Sequence, residues 1–310
     1  MISAPISAGI DLGGTKIEAQ VFAPDWSLAS RQRWPTPKDY PSLVSAMADA
    51  IRWCETHGPD LPVGISAAGL VNPATGLALT SNLPATGKPF PADIARAAGR
   101  KIAWINDCRA LTLSEATLGA AKDADPAVGL ILGTGVAGGV VTGGRLLPSP
   151  AATGGEFGHF ALAAPPIVAH GLPILTCGCS RLGCAETYLS APGLARIATH
   201  LTGQTHAPET IVAGRTTTPC FAMAWEIWLD FATEFLMTLC LTIDPEVIVI
   251  GGGLSRAPGL TEDLTRRLTG AALGGFPIPA IRLAEGGDAS GARGAALHAL
   301  NERTREAAHA

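Results

Sequence analysis

Charge, aromatic rings and export signals are all scarce in this chain. Of its 310 residues 15% are charged, the net charge is −4, and neither sign forms a long run. Non-specific nucleic-acid binding and polybasic attachment to membranes both need a concentrated cationic face, so the composition argues against both. The opening MISAPISAGIDLGG has no basic segment followed by an apolar one, so no signal peptide is expected. A charge-free span does occur at 127–144 (AVGLILGTGVAGGVVTGG), but its repeated glycines fit two buried strands joined by a glycine turn better than a membrane helix. The chain is therefore expected to be cytoplasmic, with no membrane or nucleic-acid partner. Two tyrosines stand against 37 glycines and 24 prolines, a balance that points to many tight turns.

What is present is apolar bulk. A hydrophobic share of 47% over this length can bury a large core and suggests two domains. The element order is mixed α/β. Residues 6–12 and 15–23 read as strands around a GlyGly turn, with 26–34 as a third. Leu43, Met47, Ile51 and Cys54 have helical spacing, and 61–66, 101–105 and EVIVI before Gly251 read as further strands. Helices are expected over 91–98, 108–121 and 219–243. A last one, over 291–300, is expected to pack back on the first domain. The domains are taken as 1–107 plus 291–310, and 108–290.

Seven cysteines fall into two classes. Cys54, Cys108, Cys220 and Cys240 are scattered and read as small buried hydrophobes. Cys177, Cys179 and Cys184 cluster in TCGCSRLGCAETY. An odd count without an export signal argues against a disulfide framework and for a metal. Three thiolates and one imidazole make a closed tetrahedral zinc site, structural because no coordination position stays open. His159 in GGEFGHF is the natural fourth ligand, and His170 is the rival. Glu156 and Glu186 bracket this clip. They read as hydrogen-bond acceptors for sugar hydroxyls, against the blander reading of solvated carboxylates.

Three glycine turns each follow a strand: DLGGTK at 11–16, GTGVAGG at 133–139 and GGG at 251–253. Such turns let backbone N–H groups approach an anion, and Thr15 and Lys16 add side-chain donors to the first. None has Walker A spacing, and each alone could be a plain turn. Together they fit a nucleotide held by backbone at several points. Asn106 and Asp107 stand between a strand and a helix. Asp107 can be read as the helix N-cap, or as the carboxylate that phosphoryl transfer needs beside its accepting hydroxyl.

In chain order, DLGGTK, ND at 106–107, LGTG followed by GG at 132–139, GEFGH at 155–159, CGC and GCAE within 177–186, and IGGGLS at 250–255 resemble the ROK sugar kinases. The resemblance spans nearly the whole chain. It implies an α/β fold of two domains, of the actin/hexokinase (ribonuclease H-like) type, with ATP and Mg²⁺ in the cleft and a homodimer as the usual assembly. It implies Asp107 as catalytic base, with Gly69, Asn82, Asn106, Glu156, His159 and Glu186 at the sugar. Asp11, Gly13, Gly14, Thr15 and Lys16, with Gly133, Thr134, Gly135, Gly251, Gly252 and Gly253, would serve the nucleotide. His159, Cys177, Cys179 and Cys184 would hold Zn²⁺.

Within that family the chain is most similar to bacterial N-acetylglucosamine kinases, through WPTPKDY, SNLPATGKPF, LSEA, GLPILTCGC and the closing GGDASGARGAA. Glucokinases, fructokinases, mannokinases and N-acetylmannosamine kinases of the family are the alternatives. The chain departs from the family at Ala68, Cys108, Arg109, Ala137 and Ser180. Arg109 is expected to bring a bulky cation near the base. Members that regulate transcription carry a helix-turn-helix before the first glycine turn, and the ten residues before Asp11 leave no room for one. A non-catalytic sugar-binding protein is a third reading, opposed by the intact Asp107 and glycine turns.

Overall fold

The computed structural model describes residues 5–287 and 290–309, so positions 288 and 289 of the GGDASGARGAA segment lie outside the described residues. The chain forms two compact units. One takes the residues up to Gly119, Arg145–Gly154 and those from Gly286 on; the other takes Ala120–Gly144 and Gly155–Glu285. The helix expected to open the second domain thus stays with the first.

The first unit runs β1 (Ser7–Leu12), β2 (Lys16–Phe22), β3 (Leu28–Pro35), α1 (Tyr40–Glu55), β4 (Val63–Ala67), the two-residue pair β5 (Leu70–Val71) and β6 (Ala78–Leu79), α2 (Phe90–Ala98), β7 (Ala103–Asn106) and α3 (Asp107–Leu118). Its sheet has the order β3-β2-β1-β4-β7, antiparallel across β1 to β3 and parallel from β1 through β4 to β7. The parallel part aligns the carboxyl ends of β1, β4 and β7, where ligands of open α/β sheets bind. Helix α1 follows the sequence signals. Asp39 accepts the Ser42 N–H as its cap, and the apolar stripe Leu43, Met47, Ile51 and Cys54 is fully buried.

After β8 (Ala127–Leu132) and β9 (Val136–Thr142) the chain re-enters the first unit with the short β10 (Arg145–Leu146). The second unit then continues with α4 (Ala164–His170), α5 (Glu186–Leu189), α6 (Ala191–Thr202), α7 (Pro208–Gly214), α8 (Pro219–Ile243), β11 (Val247–Gly251), α9 (Leu260–Ala271) and β12 (Ala280–Leu283). Its strands stand in the order β9-β8-β11-β12, with β8, β11 and β12 mutually parallel. The glycine-rich span 127–144 is thus the expected antiparallel hairpin. Helix α8 covers the predicted 219–243 and forms the centre of this core, with Trp228 fully buried and its Nε1–H donated to the Leu189 carbonyl at 3.0 Å. Among the described residues no helix is long and apolar enough to cross a membrane.

The last helix, α10 (Ser290–His309), packs on β1, β4 and α3 of the first unit, as its spacing predicted. It approaches so closely that side chains have no room. A Cβ on Gly9 would sit 1.7 Å from the Ala292 carbonyl oxygen, and one on Gly64 1.9 Å from that of Ala295. Glu115 of the LSEA motif fixes the start of this helix. It is fully buried and accepts from the Gly286 amide at 2.9 Å and the Ser290 hydroxyl at 3.0 Å, with Arg293 at 3.4 Å. Removing the carboxylate from such a buried set takes their acceptor from the Gly286 amide and the Ser290 hydroxyl. Glu115→Ala should therefore lower the unfolding free energy of the first unit by about 3 kcal/mol in urea titration. A loss below about 0.5 kcal/mol, the scatter of ordinary surface changes, would refute this role.

Candidate active site

Asn106 and Asp107 stand at the carboxyl end of β7, and the structure divides their duties. Asn106, not Asp107, is the N-cap of α3, at φ −66° and ψ 145°. Its Oδ1 accepts from the amides of Cys108 at 2.9 Å and Arg109 at 3.3 Å, and its Nδ2 donates to the Gly69 carbonyl at 3.2 Å. That second bond holds the turn between β4 and β5. Gly69 there has φ +107°, and a Cβ would come within 2.4 Å of the Leu79 carbonyl oxygen, so only glycine fits. Asp107 occupies the first position inside the helix. Burial raises its pKa above the ordinary carboxylate range, opposed by hydrogen bonds from the Cys108 thiol and amide. The amide lies 2.9 Å and the thiol 3.5 Å from Oδ1.

Arg109 does not act as the expected cation beside the base. Its guanidinium donates to the carbonyls of Leu147 at 2.9 Å and Gly154 at 3.3 Å, tying the 145–154 segment to α3.

Asp11 ends β1 opposite Ser66 of β4. Burial, with the charge of Asp107 adding to it, pushes its pKa up to about 6, against the pull of Lys16 and the Ser66 hydroxyl. Gly291 in the first turn of α10 lies against it: a Cβ there would be 2.5 Å from the Asp11 Oδ1. The DLGGTK turn closes with the Gly13 amide donating to the Lys16 carbonyl at 2.9 Å, and Thr15 is exposed. The carbonyls of Gly13 and Gly14 accept from the Thr36 hydroxyl at 2.7 Å and the Lys38 ammonium at 2.8 Å. Both donors come from the WPTPKDY segment, which thus braces the turn. The Lys16 ammonium lies 3.4 Å from the buried Glu18 carboxylate, so it is partnered by protein and not only aimed at an anion. Asn82 is exposed and packs on the same turn, its Cβ 3.0 Å from where a Cβ on Gly14 would stand.

In the second unit the other two glycine turns are neighbours. Gly251 pairs with Ile131 across parallel β11 and β8, so both turns leave the sheet at its carboxyl edge. A Cβ on Gly133 would be 3.7 Å from the Gly253 nitrogen. Gly252, at φ +87°, passes so near the Leu132 carbonyl that a Cβ would be 2.5 Å from its oxygen. The Gly133 amide donates to the Gly135 carbonyl at 3.0 Å, which leaves Thr134 exposed at the tip of the turn. Ala137 lies within β9, paired with Ile131, where a methyl group is ordinary.

The cysteine motif converges as the sequence suggested. One donor atom from each of His159, Cys177, Cys179 and Cys184 lies within 4.8 Å of the others. Cys177 Sγ is 3.8 Å from His159 Nδ1, and the sulfurs of Cys179 and Cys184 are 3.6 Å apart. Ligands at tetrahedral angles around zinc would stand roughly 3.4–3.8 Å apart, so the donor set fits such an ion. His170 is no rival, since its Nε2 lies 2.8 Å from Asp230 Oδ2. Ser180, where the family's glycine is replaced, has φ +70° within the cysteine turn, which explains why a glycine suits the position.

Both glutamates touch this cluster. Glu156 Oε2 is 3.7 Å from His159 Nε2 and so orients the ring from its far side. Glu186 opens α5. Its Oε1 lies 3.1 Å from Cys177 Sγ and its Oε2 accepts the Val136 amide at 3.3 Å, linking the cysteine clip to the 133–135 turn.

The family model described as ROK family matches residues 7–302. An N-acetylgalactosamine kinase, AgaK, of Shewanella sp. (strain ANA-3) is 37% identical over 93% of this chain and 95% of its own. An N-acetyl-D-glucosamine kinase of Yersinia pseudotuberculosis serotype O:1b (strain IP 31758) is 36% identical over 95% and 99%. Among solved structures, the ROK hexokinase from Thermus thermophilus superposes with a TM-score of 0.85 at 31% identity, covering 96% of this chain and 99% of that one. A ROK family glucokinase from Streptomyces griseus, in complex with glucose and AMPPNP, gives 0.74 at 25% identity, covering 94% and 98%.

Zinc in the cysteine cluster predicts about one ion per chain by mass spectrometry of the purified protein. Cys179→Ser should lose most of it and melt roughly 5–10 °C lower, as expected for a closed site that contributes to folding. Full zinc content in that variant would refute the ligand set.

Proposed function

The chain belongs to the ROK family, and from that membership we propose that it phosphorylates N-acetyl-D-glucosamine at its 6-hydroxyl, with ATP as donor. That it is an ATP-dependent sugar kinase follows from the family and its kinase relatives along nearly the whole chain. The finer reading rests on one observation above the rest. Asn106 is the N-cap of α3, so the half-buried Asp107 carboxylate at the strand end need not serve as the helix cap.

In this reading Asp107 accepts the proton of the 6-hydroxyl as that oxygen attacks the γ-phosphorus, and ADP leaves with the electron pair of the broken P–O bond. Asn106 keeps the loop of Gly69 in place against the sugar, and Asn82 contributes from the segment beside the first glycine turn. Glu156, His159 and Glu186 accept or donate to sugar hydroxyls, oriented by the zinc clip. Asp11 and the Gly13–Lys16 turn, with Gly133–Gly135 and Gly251–Gly253, serve the nucleotide through backbone N–H groups. Magnesium, held with the nucleotide's phosphates, would neutralise their charge. We read the zinc as structural, and the protein as cytoplasmic and homodimeric. Its seven cysteines, all free thiols, suit a reducing compartment.

The relative named an N-acetylgalactosamine kinase supports a second reading, in which the pocket accepts the other orientation of the 4-hydroxyl. ADP release with Mg-ATP separates them, measured against N-acetylglucosamine, N-acetylgalactosamine, N-acetylmannosamine, glucose, mannose and fructose. N-acetylglucosamine should give the highest kcat/KM. A clear preference for another sugar keeps the mechanism and replaces the substrate. Asp107→Asn should fold normally and lower kcat by at least ~10²-fold, the lower end of what a general base contributes. Unchanged turnover would remove Asp107 from the reaction.

A further inference from the structure

The residue after the base is a cysteine at a position where the family resemblance leads one to expect alanine. Its thiol is buried, with 6% of its surface exposed, and points at the base rather than into an apolar pocket alone. We propose that Cys108 is a positioning residue for the kinase reaction. Its S–H and N–H both bind Oδ1 of Asp107, and so leave Oδ2 to take the proton of the sugar hydroxyl. This rests on the reading of Asp107 as general base.

Two features of the geometry carry the inference. The Cys108 amide is shared: it donates to Oδ1 of Asn106, the cap of α3, at 2.9 Å and to Oδ1 of Asp107 at 2.9 Å. An N–H divided between two acceptors constrains each weakly, so the thiol, 3.5 Å from the same Asp107 oxygen, adds a donor that Asn106 does not draw on. The two donors also hang on different parts of Cys108, one the backbone N–H and the other the side-chain S–H. Together they restrict rotation of the carboxylate about its terminal bond, which a single donor would leave broad. A base must present one chosen oxygen to the hydroxyl, and fixing the other is how that choice is made.

The thiol also acts on charge. Burial favours the protonated Asp107, and a donor to the carboxylate opposes this, the Cys108 side chain foremost. The other charged groups around Asp107 do not replace that donor. Asp11 on β1 is a like charge that disfavours ionisation, and Lys16 on β2 acts through Asp11 and Glu18. The Arg109 guanidinium is engaged by the carbonyls of Leu147 and Gly154, and Arg293 of α10 by Ser114 and Glu115.

The sign follows. Activity needs the ionised base, so kcat/KM falls as pH drops through the raised pKa of Asp107. Taking the thiol away raises that pKa further and moves the acid limb to higher pH. The test is the pH profile of kcat/KM, with N-acetylglucosamine and Mg-ATP, for the full-length wild type, Cys108→Ala, Cys108→Ser and Asp107→Asn. The acid limb of Cys108→Ala should move up by about half a pH unit or more, the order expected for loss of one weak donor to a carboxylate. Its high-pH plateau should stay within about threefold of the wild type, since the base itself remains. Cys108→Ser, which restores a hydroxyl donor, should bring the limb back. An acid limb unmoved in Cys108→Ala, or an equal loss at every pH, overturns the proposal and leaves the thiol as packing. If Cys108→Ala fails to fold, a Cys108→Ser limb displaced upward overturns it and a limb at or below the wild-type position supports it. Asp107→Asn separates the two readings. Retained turnover there defeats the base itself. Lost turnover together with an unmoved Cys108→Ala limb defeats only the role of the thiol.

Discussion

The side chain of Asn106 is the junction on which the strand-end region of the first unit is built. One amide group joins three pieces of chain: its oxygen takes the first free N–H groups of α3, and its nitrogen ties down the Gly69 turn. A helix start must satisfy its leading N–H groups, and the neighbouring aspartate could have done so. Because the asparagine does it, the aspartate keeps a half-buried carboxylate at the carboxyl end of a parallel strand. The bond from the Asn106 nitrogen also ties the loop that follows β4 to the start of α3.

The second unit solves a related problem with different chemistry. Glycine turns approach each other closely only because no side chain intervenes, and such turns have little of their own to hold them. Glu186 supplies the link, with one carboxylate oxygen at the Val136 amide behind the 133–135 turn and the other at Cys177. Glu156 meets the same cluster through His159. A closed metal site at that point would stiffen both glutamates and the turn together.

Much of this was legible in the sequence where a pattern is local. The helical stripe of α1, the hairpin over 127–144, the long α8 and the three glycine turns follow from spacing and from the conformations glycine permits. The cysteine spacing pointed to the metal ligands, and it was the fold that chose between His159 and His170. Other parts were not legible because their partners are distant in the chain. Glu115 and Gly286 are hydrogen-bonded across most of the chain's length, so LSEA could be matched to a family but not explained. Helices α4, α5 and α7 of the second unit have seven, four and seven residues, too short to carry an apolar period. Arg109 looked like a cation aimed at the base, yet its long side chain reaches two carbonyls of the 145–154 segment instead.

By itself, then, the sequence determined the residue types and their order: where strands end in glycine, where thiols cluster, and that an Asn-Asp pair follows a strand. Those are properties of neighbours along the chain, set by backbone sterics and side-chain chemistry. Tertiary structure alone decided which member of the pair caps the helix, which histidine faces the sulfurs, and which way Cys108 and Arg109 point. Each of those outcomes is a choice among several possible partners, and the fold settles it, because a polar group removed from water must find its partner within the fold.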